Sequence, residues 1–223
     1  MIYSENILLC IAIPLAISLF FLRGGAKRFV ITFLTGMGVC LVAAYINGYI
    51  NSISAHSAED MAVYVSPVIE EVLKFFPVLF YMYVFLPDER NLLVSSVGIG
   101  AGFATFENCC YLLSIGAEKL SFVLIRGLAV GTMHIATLTL LTAMIIIMRR
   151  HDAISIPALI AAVSMSAGMH ALYNLLVSES GLSSALGYVF PFLTSLLLYY
   201  AFRTRVIVRT GTGADTAPRS TGA

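Results

Sequence analysis

Charge is scarce in this chain: of 223 residues only 11% are Asp, Glu, Lys or Arg, while 59% are hydrophobic and the mean hydropathy is +0.93. Soluble domains carry roughly 25% charged residues, so the composition excludes a soluble domain. The net charge of +1 identifies no charged partner, and no nucleic-acid partner is expected. Connections between the apolar runs are too short to fold by themselves. No small-residue cleavage site follows the first apolar run, whose positive flank lies after it; this excludes a cleaved signal peptide and predicts a retained anchor. Cys10, Cys40, Cys109 and Cys110 form no C-x-x-C pair and are expected to pack as small buried hydrophobes. The H-E-x-x-H spacing of many zinc hydrolases is absent, and so is any internal repeat, which weakens an inverted-repeat transporter.

What is present is a succession of long apolar runs. They predict seven membrane spans at about Ser4 to Leu22, Phe29 to Ile50, Met61 to Leu86, Leu92 to Leu113, Leu120 to Met148, Ala153 to Val177 and Leu182 to Phe202. The expected fold is an all-α polytopic helical bundle forming one domain over residues 1–203, with a disordered cytoplasmic tail at 204–223. With the N-terminus outside, the inner side receives Arg23, Lys27, Arg28, Arg90, Arg149, Arg150, Arg203, Arg205, Arg209 and Arg219, whereas the outer loops hold only Lys119. Basic residues favour the cytoplasmic side, so this asymmetry predicts the orientation.

The chain is organised around Pro67 to Lys74, Pro-Val-Ile-Glu-Glu-Val-Leu-Lys, which sets three charges inside the third span. Each costs on the order of 2.5 to 3.5 kcal/mol in a membrane, so they must be paired, hydrated or functional. On a helix Lys74 reaches either Glu70, four residues back, or Glu71, three back; the two carboxylates point about 100° apart. One can pair while the other stays free. Pro67 and Pro77 predict a kink with carbonyls freed near the charged turn.

Further polar residues follow on later spans. Gly98, Gly100 and Gly102 precede Phe106-Glu107-Asn108 and Tyr111; Arg126, Gly127, Gly131 and His134 lie on the fifth span; His170 and Asn174 share one face of the sixth. Gly98 with Gly102, and Gly127 with Gly131, form G-x-x-x-G pairs that let helices approach closely. Counted inward from the outer ends, Glu70 and Glu71 lie about 9 to 10 residues deep, Glu107 and Arg126 about 6, His134 about 14, His170 about 7 and Asn174 about 3, at roughly 1.5 Å each. Spans three to six therefore line one polar cavity opening outward. Three chemistries fit it: glutamate-assisted hydrolysis with His170 and Asn174 at the oxyanion, a zinc hydrolase using Glu71, His134 and His170, and a proton or ion relay. The relay is the less favoured, because the inner halves of the spans hold only Thr137, Thr139, Thr142 and a few serines.

Glu70-Glu71-x-x-Lys74, Gly102-Phe103 with Phe106-Glu107-Asn108 and Tyr111, Arg126 with His134, and His170-x-x-x-Asn174 together resemble the motif set of the PrsW family of intramembrane proteases. These are similar in turn to the superfamily of CAAX prenyl endopeptidases and bacteriocin-processing proteins. Lys74 stands where the prenyl endopeptidases have an arginine one residue further on, so prenylated substrates are not carried over. The resemblance covers spans three to six, a motif core at about 61–177. It implies a glutamate-dependent protease of the bacterial cytoplasmic membrane that cuts a single-span protein, such as an anti-sigma factor, near the outer face. Glu70 or Glu71 would be the base, His134 would hold the attacking water, and His170 and Asn174 would form the oxyanion hole. Lys74, Glu107, Asn108, Tyr111 and Arg126 would support them. The expectation is a site without metal, with zinc on Glu71, His134 and His170 as the alternative.

Overall fold

A computed structural model describes residues 4–115 and 120–204. Among these, eight α-helices follow one another: α1 Ser4–Ser18, α2 Gly24–Ile53, the short α3 Ala58–Asp60, α4 Ser66–Phe85, α5 Glu89–Ile115, α6 Leu120–Arg150, α7 Ile156–Ser178 and α8 Leu182–Arg203. A π-turn at Met61–Val65 joins α3 to α4, so the path is helical from Ala58 to Phe85. The tail beyond Thr204, and Lys119, lie outside the described residues.

Five helices, α2, α5, α6, α7 and α8, are long and apolar enough to cross a membrane. The other two of the seven expected spans fall short for different reasons. Helix α1 stops at Ser18 after 15 residues, about 22 Å of rise against a hydrocarbon core of about 30 Å. Helix α4 has 20 residues but carries Glu70, Glu71 and Lys74. Its C-terminus is set by Leu86 in the left-handed region (φ 45°), followed by Pro87, which cannot continue a helix.

The bundle is built around α5 and α6. Helix α5 carries glycines at the points where its backbone meets α2 and α6. A Cβ at Gly102 would stand 1.9 Å from the Phe33 carbonyl oxygen of α2, and one at Gly98 would meet the Thr32 hydroxyl at 2.1 Å; in return Gly36 of α2 faces the Ile99 carbonyl. On the side toward α6, Gly100 lies against the backbone of His134 and Ile135. Small residues thus bring three helix backbones together, as expected where lipid supplies no hydrophobic drive to associate. Gly127 and Gly131 have open space around them and pack no helix. Met37, Cys40 and Ala43 of α2 close on Phe103 and Phe106, while Leu138, Leu141, Ile145 and Ile146 of α6 close on Val78, Met82, Leu92 and Ile99. Helices α4, α7 and α8 complete the other side, leaving Phe76, Phe80, Leu193, Leu196 and Leu197 exposed where a membrane protein meets lipid.

Candidate active site

The two adjacent glutamates have opposite surroundings. Glu71 is fully buried. Its Oε1 accepts from Lys74 Nζ (2.5 Å), His170 Nδ1 (2.8 Å) and Thr137 Oγ1 (3.1 Å), and its Oε2 accepts from Ser166 Oγ (2.9 Å). Four donors on three helices leave this carboxylate no room for water. Glu70, about 100° round the helix, instead faces a cavity of about 410 Å³ and, among the described residues, meets Asn47 Nδ2 (3.3 Å) and, at 3.9 Å, His170 Nε2. The expected division into one paired and one free glutamate is therefore resolved by geometry: Lys74 chooses Glu71.

Lys74 is also fully buried, an unusual place for an ammonium. Besides Glu71 it donates to His134 Nδ1 (2.9 Å) and lies 4.8 Å from the centre of the Phe103 ring. His134, brought close to α5 by Gly100, bonds through Nε2 to Glu107 Oε2. Glu107 Oε1 accepts in turn from Arg126 (3.2 Å), whose guanidinium stacks 3.4 Å from the Tyr111 ring centre. The rings of His134 and His170 meet edge to face at 5.0 Å.

The cavity is lined by residues of α3, the π-turn, α4, α5, α6 and α7, including Glu70, Glu107, Tyr111, Arg126, His170 and Asn174. These are the four spans expected to converge. Glu71, Lys74 and His134 lie behind the cavity wall; Asn108 does not line the cavity either, and its Oδ1 is buried without a partner among the described residues. Asn174 lines the cavity, but its Nδ2 donates to the backbone carbonyl of Ala62 in the π-turn (2.8 Å). Three contacts were not anticipated from the sequence. Asn47 stands among Tyr45, Tyr49 and Asn51 and has the look of an interface residue, whereas Thr137 and Ser166 stand one helical turn from His134 and His170, a spacing that could have flagged them.

Glu70, His134 and His170 each offer one ligand atom, and these atoms all lie within 4.8 Å of one another. The set fits a divalent cation. Two histidines and one carboxylate make up the donor set of many catalytic zinc sites, which leave a fourth position open. Glu71 on Nδ1 of His170 turns Nε2 of that ring toward Glu70, the kind of outer contact that orients a ligating histidine. The alternative set expected from sequence had Glu71 in place of Glu70; the oxygens of Glu71 are engaged by Lys74, Thr137, Ser166 and His170, and it is Glu70 that stands with the two histidines.

Residues 25–202 match the family model described as PrsW family intramembrane metalloprotease. No curated protein and no solved structure matches the chain.

Proposed function

Because the chain belongs to the PrsW family of intramembrane metalloproteases, we propose that it hydrolyses a peptide bond at the centre formed by Glu70, His134 and His170, with a divalent cation held by those three residues. The observation that carries this is the convergence within 4.8 Å of three ligand atoms from three helices, two of them, on Glu70 and His170, belonging to residues that line the polar cavity. A bound cation would supply Lewis-acid polarisation of the scissile carbonyl and a water nucleophile at neutral pH.

The chain's own residues divide the remaining work. Glu71 and Lys74 position the two histidines from beneath. Glu107 is a further carboxylate on the cavity and would receive a proton from water, with Arg126 and His134 holding its two oxygens. Arg126 and Tyr111 line the cavity rim, where a peptide carbonyl would need donors. The substrate class is a membrane-tethered protein cut near the outer face, of which a single-span anti-sigma factor is the type suggested by family resemblance. Basic residues at the opposite end of the helices support an orientation with the N-terminus outside, in a bacterial cytoplasmic membrane.

One observation favours a second mechanism for the same reaction. Both ring nitrogens of His134 are engaged, Nδ1 by Lys74 and Nε2 by Glu107, so binding a cation requires it to exchange a partner. Without a cation, Glu70 would act as base on a water held between His170 and His134. Metal analysis of active, purified protein separates the two. The cation mechanism expects about one zinc per chain, loss of activity on chelation, recovery on adding zinc, and no zinc in Glu70→Gln. Full activity in exhaustively chelated protein overturns it. The cleavage itself is sought as a peptide released into medium or membrane fractions by wild-type cells and not by cells carrying Glu70→Gln.

A further inference from the structure

The π-turn leaves one backbone carbonyl without a helical donor. In an α-helix the carbonyl of Ala62 would accept from the amide of Ser66, but that amide donates to the carbonyl of Met61, in the wider π register. In the π register the donor to Ala62 would be residue 67, and residue 67 is proline, which has no N–H. Neither register can satisfy this oxygen. Asn174 Nδ2 stands 2.8 Å away and donates to it from α7.

The position of this contact gives it a consequence for the active centre. Along α7, Ser166, His170 and Asn174 follow at intervals of four, on one face. Ser166 and His170 Nδ1 are bonded to Glu71 in α4, and Asn174 is bonded to Ala62 in the π-turn that runs into α4. The gap between His170 Nε2 and Glu70 Oε2, 3.9 Å, lies between these ties. A helix pair tied on both sides of that gap cannot change the spacing freely. We propose that Asn174 is a positioning residue, which reads the carbonyl left open by Pro67 and thereby sets the distance between Glu70 and His170. The oxyanion role that the motif suggests for this asparagine is then not its main one, since one of its two amide hydrogens is engaged before any substrate arrives.

The test rests on the cation reading for one of its two measurements. Zn²⁺ affinity and melting temperature are measured on four metal-stripped, detergent-purified full-length proteins: wild type, Asn174→Ala, Pro67→Ala, and the double variant. Asn174→Ala is expected to weaken Zn²⁺ binding about 10-fold, the scale for loss of a contact that orients a ligand. In the Pro67→Ala background residue 67 regains its N–H and the helix supplies its own donor to Ala62, so the same substitution is expected to cost less than about 3-fold. An equal loss in both backgrounds overturns the proposal, because Asn174 would then not act through Ala62. Unchanged Zn²⁺ affinity in Asn174→Ala also overturns it, and is what an oxyanion donor that meets only the reacting substrate predicts. If Asn174→Ala does not fold, folded yield recovered by adding Pro67→Ala supports the proposal and failure to recover overturns it. If none of the four binds Zn²⁺, the cation reading fails by itself; the melting temperatures then decide, a smaller drop in the Pro67→Ala background supporting the proposal and an equal drop overturning it.

Discussion

Glu71 and Lys74 show how much a single residue's surroundings decide. Both are fully buried, and neither tolerates the loss of the other: removing one partner of a buried ion pair typically costs about 3 to 5 kcal/mol because it strands the remaining charge. Lys74→Met is therefore expected to unfold a large share of the protein, and Glu71→Gln with Lys74→Met to restore much of the loss by removing both charges. Thermal melts of the two single variants and the double variant check this; a double variant as unstable as the sum of the singles would show that the pair is not the issue. Glu70 differs. Because it faces the cavity with one weak side-chain donor, Glu70→Gln is expected to keep the melting temperature within a few degrees while reducing hydrolysis at least about 10²-fold, the scale for losing a catalytic base or ligand. Much of this was legible in the sequence: the spacing of three between Glu71 and Lys74, and the placement of His170, predict that one glutamate pairs. Which glutamate does so was not, since helix rotation depends on where α6 sets His134. Asn47 was equally invisible, because among Tyr45, Tyr49 and Asn51 an asparagine has the ordinary look of a membrane interface.

At the scale of elements, the same G-x-x-x-G spacing has two outcomes. Gly102 lies so close to α2 that a methyl group would collide with the Phe33 carbonyl at 1.9 Å, and Gly36 is as close to that of Ile99 at 2.0 Å. Backbone atoms cannot give way as a flexible side chain can, so Gly102→Ala and Gly36→Ala are each expected to destabilise by at least about 1 to 3 kcal/mol through forced separation of α2 and α5. Gly131→Ala, with nothing near its Cβ, is expected to be neutral or stabilising by up to about 1 kcal/mol. Melting temperatures of the three variants measure this, and a harmless Gly102→Ala would contradict the packing of α2 on α5. Spacing reveals that a helix has a smooth face. It does not reveal whether a neighbour occupies it, and for that reason the pair in α6 was expected to pack and does not. The proline expectation fared better, for Pro67 does free a carbonyl, although through a π-turn whose register no local sequence signal announces.

For the whole molecule, the apolar runs predict seven helical stretches, and five of these helices are long and apolar enough to cross a membrane, α1 being short and α4 carrying three charges. The proposed orientation makes a direct prediction. With the native cysteines replaced, Glu59→Cys, exposed beside the cavity, is expected to react with a membrane-impermeant maleimide added outside intact cells, and Asp88→Cys only after the membrane is broken. The reverse pattern would turn the protein over and put the active centre on the inner side.

The end of the bundle remote from the cavity is fastened by a set of polar ties: Arg150 grips Glu89 through two bonds of 2.7 and 2.6 Å, Arg149 holds the Pro87 carbonyl at 3.1 Å, and Arg28 reaches Asn91 from α2. Bidentate arginine contacts resist shear as well as separation. Among the described residues the cavity end is tied by single bonds, Asn174 to the Ala62 carbonyl and Arg126 to Glu107, so the bidentate grip lies at the end away from the cavity. Any widening of the cavity would then turn the helices about that far end, which the arginine bonds hold together.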